Sequence, residues 1–139
     1  MMTDLNLLLA RQSPLVLRDH VPDEAALAAM LRGAMCAPDH GKLKPWRFIV
    51  IAGEARHAFG AVLSDALRQR DPGVSEAMLA REKAKPLRAP LILTVVARIR
   101  EHRLVPAMEQ IIAAGIAANN ILVAAHGLGF GVRVGHGGG

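Results

Sequence analysis

The spacing of apolar side chains along the chain predicts alternating helices and strands. Apolar residues recur three and four positions apart, as on one face of a helix, in residues 4–13, 22–36, 54–70, 75–85 and 106–127. Runs of bulky side chains predict strands at residues 46–52 and 91–96, and a last strand is expected near Phe130. Because residues 91–96 are apolar on both faces, they predict a strand inside a sheet that helices cover.

The longest stretch without a charged side chain, residues 111–132, is long enough to cross a membrane as a helix. Two adjacent amides, Asn119 and Asn120, lie near its middle, and His126 and four glycines also interrupt it. Polar groups at bilayer depth need partners that a single span lacks. We therefore expect a helix buried in protein and no membrane span.

The composition indicates an aliphatic core. A chain of 139 residues fits one domain, predicted here as residues 1–139, and 52% of the residues are hydrophobic, with no Tyr, one Trp and three Phe. A single cysteine excludes an intrachain disulfide and indicates a reducing compartment. Residues 1–9 contain Asp4 and no basic segment, unlike a secretory signal, so a cytoplasmic protein is predicted.

The charge of the chain raises the question of an anionic partner. Lys and Arg number 17 against 12 Asp and Glu, and the formal charge of +5 would attract nucleic acid or an anionic membrane surface. The basic residues are spread among acids, and few aromatic side chains are present to stack on bases. We expect no nucleic-acid or membrane partner, and a basic interaction module stays as an alternative.

A short basic loop lies between a predicted helix end and a predicted strand. Pro38 ends the helix, because proline lacks a backbone N–H and disfavours helical geometry in the residue before it. Trp46 begins the strand, and His40, Lys42 and Lys44 lie between the two elements. One imidazole and two ammonium groups in a short loop are suited to an anion, while two solvated lysines are the simpler interpretation.

A second candidate anion site follows the first predicted helix. Arg11 and Ser13 place a guanidinium and a hydroxyl on one short turn before Pro14. An arginine fork beside a hydroxyl suits a phosphate group. A solvated surface arginine is the alternative. The loop that contains His40 is a second candidate anion site, and the two together favour a ligand-binding role for Arg11 and Ser13.

The other reactive side chains form no recognisable catalytic or metal site. Cys36 and His40 are four positions apart, but Pro38 breaks the helix that would bring them together, and free cysteine usually behaves as a small apolar residue. Asp39-His40 is typical of a helix-terminal turn. The histidines are scattered, without a spacing that would gather three ligands around a metal. The glycines at 127, 129 and 131 follow a helix, which indicates a helix stop rather than a pyrophosphate-binding loop. We predict no catalytic side chain and no metal site.

Several short motifs occur in a recognisable order. They are Arg11-Gln12-Ser13, Ala37-Pro38-Asp39-His40, Pro45-Trp46-Arg47-Phe48, residues 89–92, Val105-Pro106 with Glu109-Gln110, and Ala124-Ala125 leading to Gly129-Phe130-Gly131. In this order they resemble the nitroreductase family of FMN-dependent oxidoreductases, specifically its shorter bacterial members. The similarity covers residues 5–131.

The resemblance implies an α+β fold in which helices wrap a sheet, assembled as a homodimer with two FMN sites at the subunit interface. The long apolar helix would be buried at that interface, which accounts for its lack of charge without a membrane. The implied FMN contacts are Arg11, Gln12 and Ser13 of one subunit and His40 of the other. A segment linked with the nicotinamide nucleotide is implied at Ala124, Ala125, His126, Gly127, Leu128 and Gly129.

The activity implied by the resemblance is ping-pong hydride transfer, in which NAD(P)H reduces FMN and FMN reduces a small acceptor. Such acceptors are nitroaromatics, quinones or activated alkenes. The flavin carries this chemistry, so the resemblance implies no catalytic side chain and no metal.

Two departures from the family pattern modify these expectations. Cys36 occupies a position where relatives often carry an arginine, which removes one flavin contact. Residues 132–139 differ from the strand, helix and C-terminal segment that the family places after Gly129-Phe130-Gly131, so a C-terminal truncation or a shifted reading frame is expected. An inactive remnant of such an enzyme is therefore an alternative.

Overall fold

A computed structural model of the chain describes residues 4–135. Its helices and strands are α1 (Asp4–Ala10), α2 (Glu24–Met35), β1 (Trp46–Ala52), α3 (Ala55–Arg70), α4 (Glu76–Ala84), β2 (Leu91–Ala97) and α5 (Ala107–Gly127). Short 3₁₀ turns at His40–Lys42 and Lys85–Arg88 precede the two strands. The five predicted helices and the first two predicted strands are confirmed, although α1 ends at Ala10 rather than at residue 13.

Local capping accounts for the beginnings of two helices. Oδ1 of Asp23 accepts the backbone N–H of Ala26 at 2.8 Å and so caps α2. Oγ of Ser75 accepts the backbone N–H of Met78 at 3.3 Å at the start of α4. Each side chain satisfies a backbone donor that the first turn of a helix leaves unpaired. These caps are local in sequence, which is why the helix starts could be predicted.

A glycine in the left-handed conformation closes the C-terminal end of α5. Gly129 has φ 87°, and the backbone N–H groups of Gly129 and Phe130 donate to the carbonyls of His126 and Ala125 at 3.0 and 2.9 Å. The predicted helix stop is therefore confirmed. The strand predicted near Phe130 is wrong, because residues 128–135 form no helix or strand and the Phe130 N–H closes the helix instead.

The two strands pair in a two-stranded sheet. The Arg98 N–H, just after β2, donates to the Pro45 carbonyl, just before β1, at 3.0 Å, as an antiparallel pair requires. The prediction that residues 91–96 form an inner strand is wrong within residues 4–135, because β2 has β1 as its single neighbour there. Its side chains are half-buried or exposed. Apolar side chains on both faces do not by themselves identify an interior strand.

The chain divides into two compact units. Within the described residues, the first unit comprises residues up to 15, 22–49 and 94–133, and the second comprises residues 16–21, 50–93 and those from 134 on. The first unit contains α1, α2 and α5, and the second contains α3 and α4. All the candidate site residues predicted from the sequence belong to the first unit.

Small side chains form the core of the first unit, where α2 packs on α5. Ala34, Ala117 and Ala125 are fully buried, and the small side chains allow a close approach of the two helices. Nδ2 of Asn120 donates to the carbonyl of Gly33 at 3.0 Å across this contact. The core is aliphatic, as the composition predicts.

A buried amide holds the loop before α5. Gln110 is 2% exposed, and its Nε2 donates to the carbonyls of Arg100 and Val105 at 2.8 and 3.1 Å. Its Oε1 accepts the backbone N–H of Arg100 at 2.9 Å. One side chain therefore satisfies three backbone groups, and it fixes residues 100–105 against the first turn of α5.

Close packing of α3 on α4 shapes the second unit. Gly60 of α3 is buried, and a Cβ atom built there would overlap the carbonyl oxygen of Lys83 in α4. Arg56 in the first turn of α3 donates to the carbonyl of Ala89 at 2.8 Å. The absence of a side chain at residue 60 is therefore a packing requirement of this unit.

Replacing Gly60 with alanine is expected to lower the free energy of unfolding by about 1–3 kcal/mol. The added methyl would force α3 and α4 apart. The matched control is Gly33→Ala in α2, because a Cβ there meets Cβ of Ala124 at an ordinary 3.5 Å. Urea denaturation of both variants measures the difference, and equal midpoints would contradict this description of the α3–α4 contact.

Candidate functional site

The loop between α2 and β1 is organised by the side chain of Asp39. Its Oδ2 accepts the backbone N–H of Lys44 at 2.6 Å, and its carbonyl accepts the N–H of Lys42 at 3.1 Å. The predicted turn role of Asp39 is thereby confirmed. The loop returns the chain within a few residues to Trp46, where β1 begins.

The backbone of this loop is held in an uncommon conformation. Gly41, Lys42 and Lys44 have φ of 75°, 52° and 46°. The left-handed region suits glycine but is costly for lysine, so the surrounding contacts must impose the conformation. Strain of this kind concentrates at functional sites, which makes the loop a candidate.

His40 contacts an acid on a distant helix. Its Nδ1 lies 2.8 Å from Oε2 of Glu109, in the first turn of α5. The two residues are 69 positions apart, so no local spacing could have revealed the pair. Glu109 belongs to one of the family motifs in the sequence, but the family resemblance implies no role for it.

The turn after α1 carries the second predicted group. Arg11 is half-buried, and its Nη1 donates to Oγ of Ser13 at 3.5 Å, while Gln12 and Ser13 are exposed. The guanidinium and the hydroxyl are therefore neighbours, as predicted. Nη1 of Arg133 donates to the carbonyl of Leu15 at 2.7 Å and ties the segment after α5 to this turn. Sequence reasoning missed Arg133 because it lies in the stretch that departs from the family pattern.

The segment of residues 124–129 forms the C-terminal end of α5. Ala125 is fully buried in the core, and Nε2 of His126 is buried without a hydrogen-bond partner among the described residues. The C-terminal end of a helix is the negative end of its dipole and exposes carbonyls. Its backbone is therefore suited to apolar or hydrogen-bond-donating groups rather than to a pyrophosphate.

An open cleft of about 500 Å³ lies between α1, α2 and the C-terminal half of α5. Apolar side chains line most of it, including those of Leu7, Leu8 and Val123, together with the amide of Asn119. Ala124, Gly127 and Leu128 belong to the same lining. Three of the six residues predicted for the nicotinamide nucleotide therefore share one apolar surface with α1.

The described contacts form two separate groups within one chain. Arg11 is joined to Ser13, and His40 is joined to Glu109. No hydrogen bond or ion pair described for residues 4–135 links Arg11 to His40. The expectation that the two groups meet across a subunit interface stays a prediction. No cluster of three or more His, Cys, Asp or Glu suited to a metal occurs within this range.

Comparison with known proteins decides the family. The profile of the nitroreductase family matches residues 9–137. The chain belongs to the nitroreductase family. The family and the oxidoreductase class expected from the sequence motifs are therefore confirmed.

Two relatives of this nitroreductase-family chain have similar sequences over most of its length. Putative NAD(P)H nitroreductase YdjA of Escherichia coli (strain K12) is 40% identical over 130 residues, which cover 94% of this chain and 70% of that protein. A Putative NAD(P)H nitroreductase of Haemophilus influenzae is 37% identical, covering 93% of this chain and 70% of the relative.

Solved structures show the same fold. The nitroreductase-like family protein from Bacillus cereus superimposes with a TM-score of 0.72 at 20% identity, covering 99% of this chain and 72% of that chain. A nitroreductase with bound FMN from Bacteroides fragilis gives a TM-score of 0.66 at 17% identity, covering 93% of this chain and 67% of the other. The predicted α+β, nitroreductase-like fold is confirmed.

Proposed function

We propose that the chain is an FMN-dependent oxidoreductase that uses NAD(P)H to reduce nitroaromatics, quinones or similar small acceptors. Its sequence relatives are named NAD(P)H nitroreductases, and a structure of the same fold contains FMN. The observation that carries the proposal is the pairing of the Arg11 guanidinium with the Ser13 hydroxyl on one short turn. This pair matches the donors that a flavin phosphate requires.

The side chains present fit FMN. Its phosphate is an anion that accepts hydrogen bonds, and Arg11, Gln12 and Ser13 offer a fixed charge, an amide and a hydroxyl in sequence. His40 offers an imidazole from a loop that also carries Lys42 and Lys44. The ammonium groups of Lys42 and Lys44 would favour an anionic ligand near the loop.

The protein's part in the reaction is binding and orientation. FMN, when bound, would supply the two-electron redox chemistry between NAD(P)H and the acceptor. Arg11 would neutralise the phosphate, and His40 would contact the cofactor from the second subunit. The candidates for contact with NAD(P)H remain Ala124, Ala125, His126, Gly127, Leu128 and Gly129. No side chain of the chain is assigned a covalent role.

We further propose a homodimer that covers the exposed face of α5 and lies in the cytoplasm. Met108, Ile111 and Ile112 are 65%, 48% and 54% exposed, and exposed apolar surface favours association. By length and composition α5 could also cross a bilayer. The mean hydropathy of an 18-residue stretch of this helix is 1.4, and 28% of that stretch is buried within the described residues. The hydrogen bonds of Gln110 and Asn120 to backbone groups support a protein environment instead.

Titration of the purified chain with FMN tests the proposal. We expect quenching of flavin fluorescence and, at 100-fold excess over Kd, stabilisation of the native state by about 2.7 kcal/mol. NADH or NADPH oxidation in the presence of a nitroaromatic should then require FMN. Absence of both quenching and stabilisation would contradict the proposal. Binding without turnover would identify a remnant that keeps the cofactor site.

A further inference from the structure

The contact between His40 and Glu109 joins the strained loop to a rigid helix. His40 begins the 3₁₀ turn of the loop, and Glu109 lies in the first turn of α5. Their side-chain atoms Nδ1 and Oε2 are 2.8 Å apart. The family resemblance assigns His40 to the cofactor but assigns nothing to Glu109.

The chemistry of the pair fixes where the imidazole carries its proton. An ionised carboxylate only accepts hydrogen bonds, so Nδ1 of His40 must be the donor. In the neutral ring Nε2 is then the unprotonated nitrogen, the reverse of the tautomer that free histidine prefers. Carboxylates that hold a ligand-binding histidine act on orientation and tautomer in this way in other sites.

The pair contributes little to the stability of the fold. The side chains of His40 and Glu109 are 64% and 47% exposed, and a contact between side chains this exposed to solvent contributes little to the free energy of unfolding. The backbone of the loop is already held by Asp39, which binds the N–H groups of Lys42 and Lys44. These backbone contacts do not restrict the rotation of the His40 side chain. The contact with Glu109 does.

We propose that Glu109 is a positioning residue for the cofactor site. Its carboxylate holds the His40 imidazole in one orientation, with Nδ1 protonated and Nε2 available to the ligand. This role rests on the proposed function, in which His40 contacts FMN. Glu109 itself is assigned no contact with the cofactor.

The tautomer of His40 is a direct readout of this role. In long-range ¹H–¹⁵N spectra of the 139-residue chain without ligand, in alkaline buffer where imidazoles are neutral, we expect protonated Nδ1 in the wild type. The His40 signals are identified by their loss in His40→Gln. In Glu109→Ala the ring should shift to protonated Nε2, whereas Glu109→Gln should keep protonated Nδ1, because the amide oxygen accepts the same hydrogen bond.

The affinity for FMN is the second readout. Glu109→Ala is expected to weaken FMN binding by about three- to tenfold, and Glu109→Gln by no more than about twofold. Glu24→Ala is the matched control, because Glu24 is an exposed acid in the first turn of α2 without a described side-chain contact within residues 4–135. It should bind FMN as the wild type does.

The outcomes separate this inference from the proposed function. Protonated Nδ1 persisting in Glu109→Ala, or unchanged FMN affinity in that variant, would overturn the positioning role. A loss of affinity in Glu109→Gln or in Glu24→Ala as large as that in Glu109→Ala would trace the effect to lost charge and would also overturn it. A wild-type chain that binds no FMN would overturn the proposed function, while the tautomer would still decide whether Glu109 orients His40.

Discussion

Replacing Arg11 with alanine is expected to weaken FMN binding by about 10- to 100-fold, with no comparable loss of stability. Arg11 is half-buried beside Ser13, and its guanidinium would lose a charge-assisted hydrogen bond to the phosphate. Arg11→Lys should fall between the wild type and the alanine variant, because an ammonium keeps the charge but loses the planar fork. Fluorescence titration with FMN measures all three affinities.

The matched control for Arg11 is Arg81→Ala. Arg81 is an exposed arginine in the last turn of α4, in the second compact unit, so the variant removes the same charge from another surface. Its FMN affinity should equal that of the wild type. If the Arg11 and Arg81 variants bind FMN equally well, the turn after α1 is not the phosphate site.

Replacing Gln110 with alanine is expected to lower the free energy of unfolding by about 3 kcal/mol, roughly a 10 °C fall in Tm. The side chain is buried and serves two backbone carbonyls and one backbone N–H, at Arg100 and Val105. Its removal leaves these groups unpaired and opens a cavity in the core. Thermal unfolding of the variant and the wild type measures the change.

An exposed amide on the same helix controls for this prediction. Asn119→Ala removes an amide from α5 at an exposed position, and surface substitutions of this kind usually change stability by about 0.5 kcal/mol or less. Equal Tm values for the Gln110 and Asn119 variants would show that the hydrogen bonds of Gln110 do not hold the loop.

The helices could be predicted because their signals are local. Asp23 and Ser75 cap helices through hydrogen bonds to backbone groups three residues away, and Gly129 ends α5 through its own positive φ. Each of these interactions is encoded within a few positions of sequence. The bounds of α2, α4 and α5 in the structure therefore follow the predicted ones closely.

The sheet could not be predicted in the same way. Residues 91–96 are apolar on both faces, but apolar character does not tell which element covers a strand. Apolar character also does not tell whether a helix residue is buried, because Ile111 and Ile112 of α5 are apolar and exposed. Phe130 has the side chain of a strand residue, yet its backbone N–H closes a helix.

In the candidate site too, contacts that are local in sequence could be predicted, and contacts between distant residues could not. The Arg11-Gln12-Ser13 turn lies within three consecutive residues, and the structure brings Arg11 and Ser13 together as predicted. The contacts of His40 with Glu109 and of Arg133 with Leu15 join residues 69 and 118 positions apart. Only the folded chain reveals such pairs, because no periodicity in the sequence links them.

Mixing two variants tests the central claim, that each FMN site takes Arg11 from one subunit and His40 from the other. Arg11→Ala and His40→Ala homodimers should each bind FMN weakly. After subunit exchange at equal amounts, about half the dimers are mixed, and each mixed dimer regains one intact site, so about one quarter of all sites should bind FMN as the wild type does. If the mixture binds FMN no better than the two parent variants, the two residues do not meet across a subunit interface.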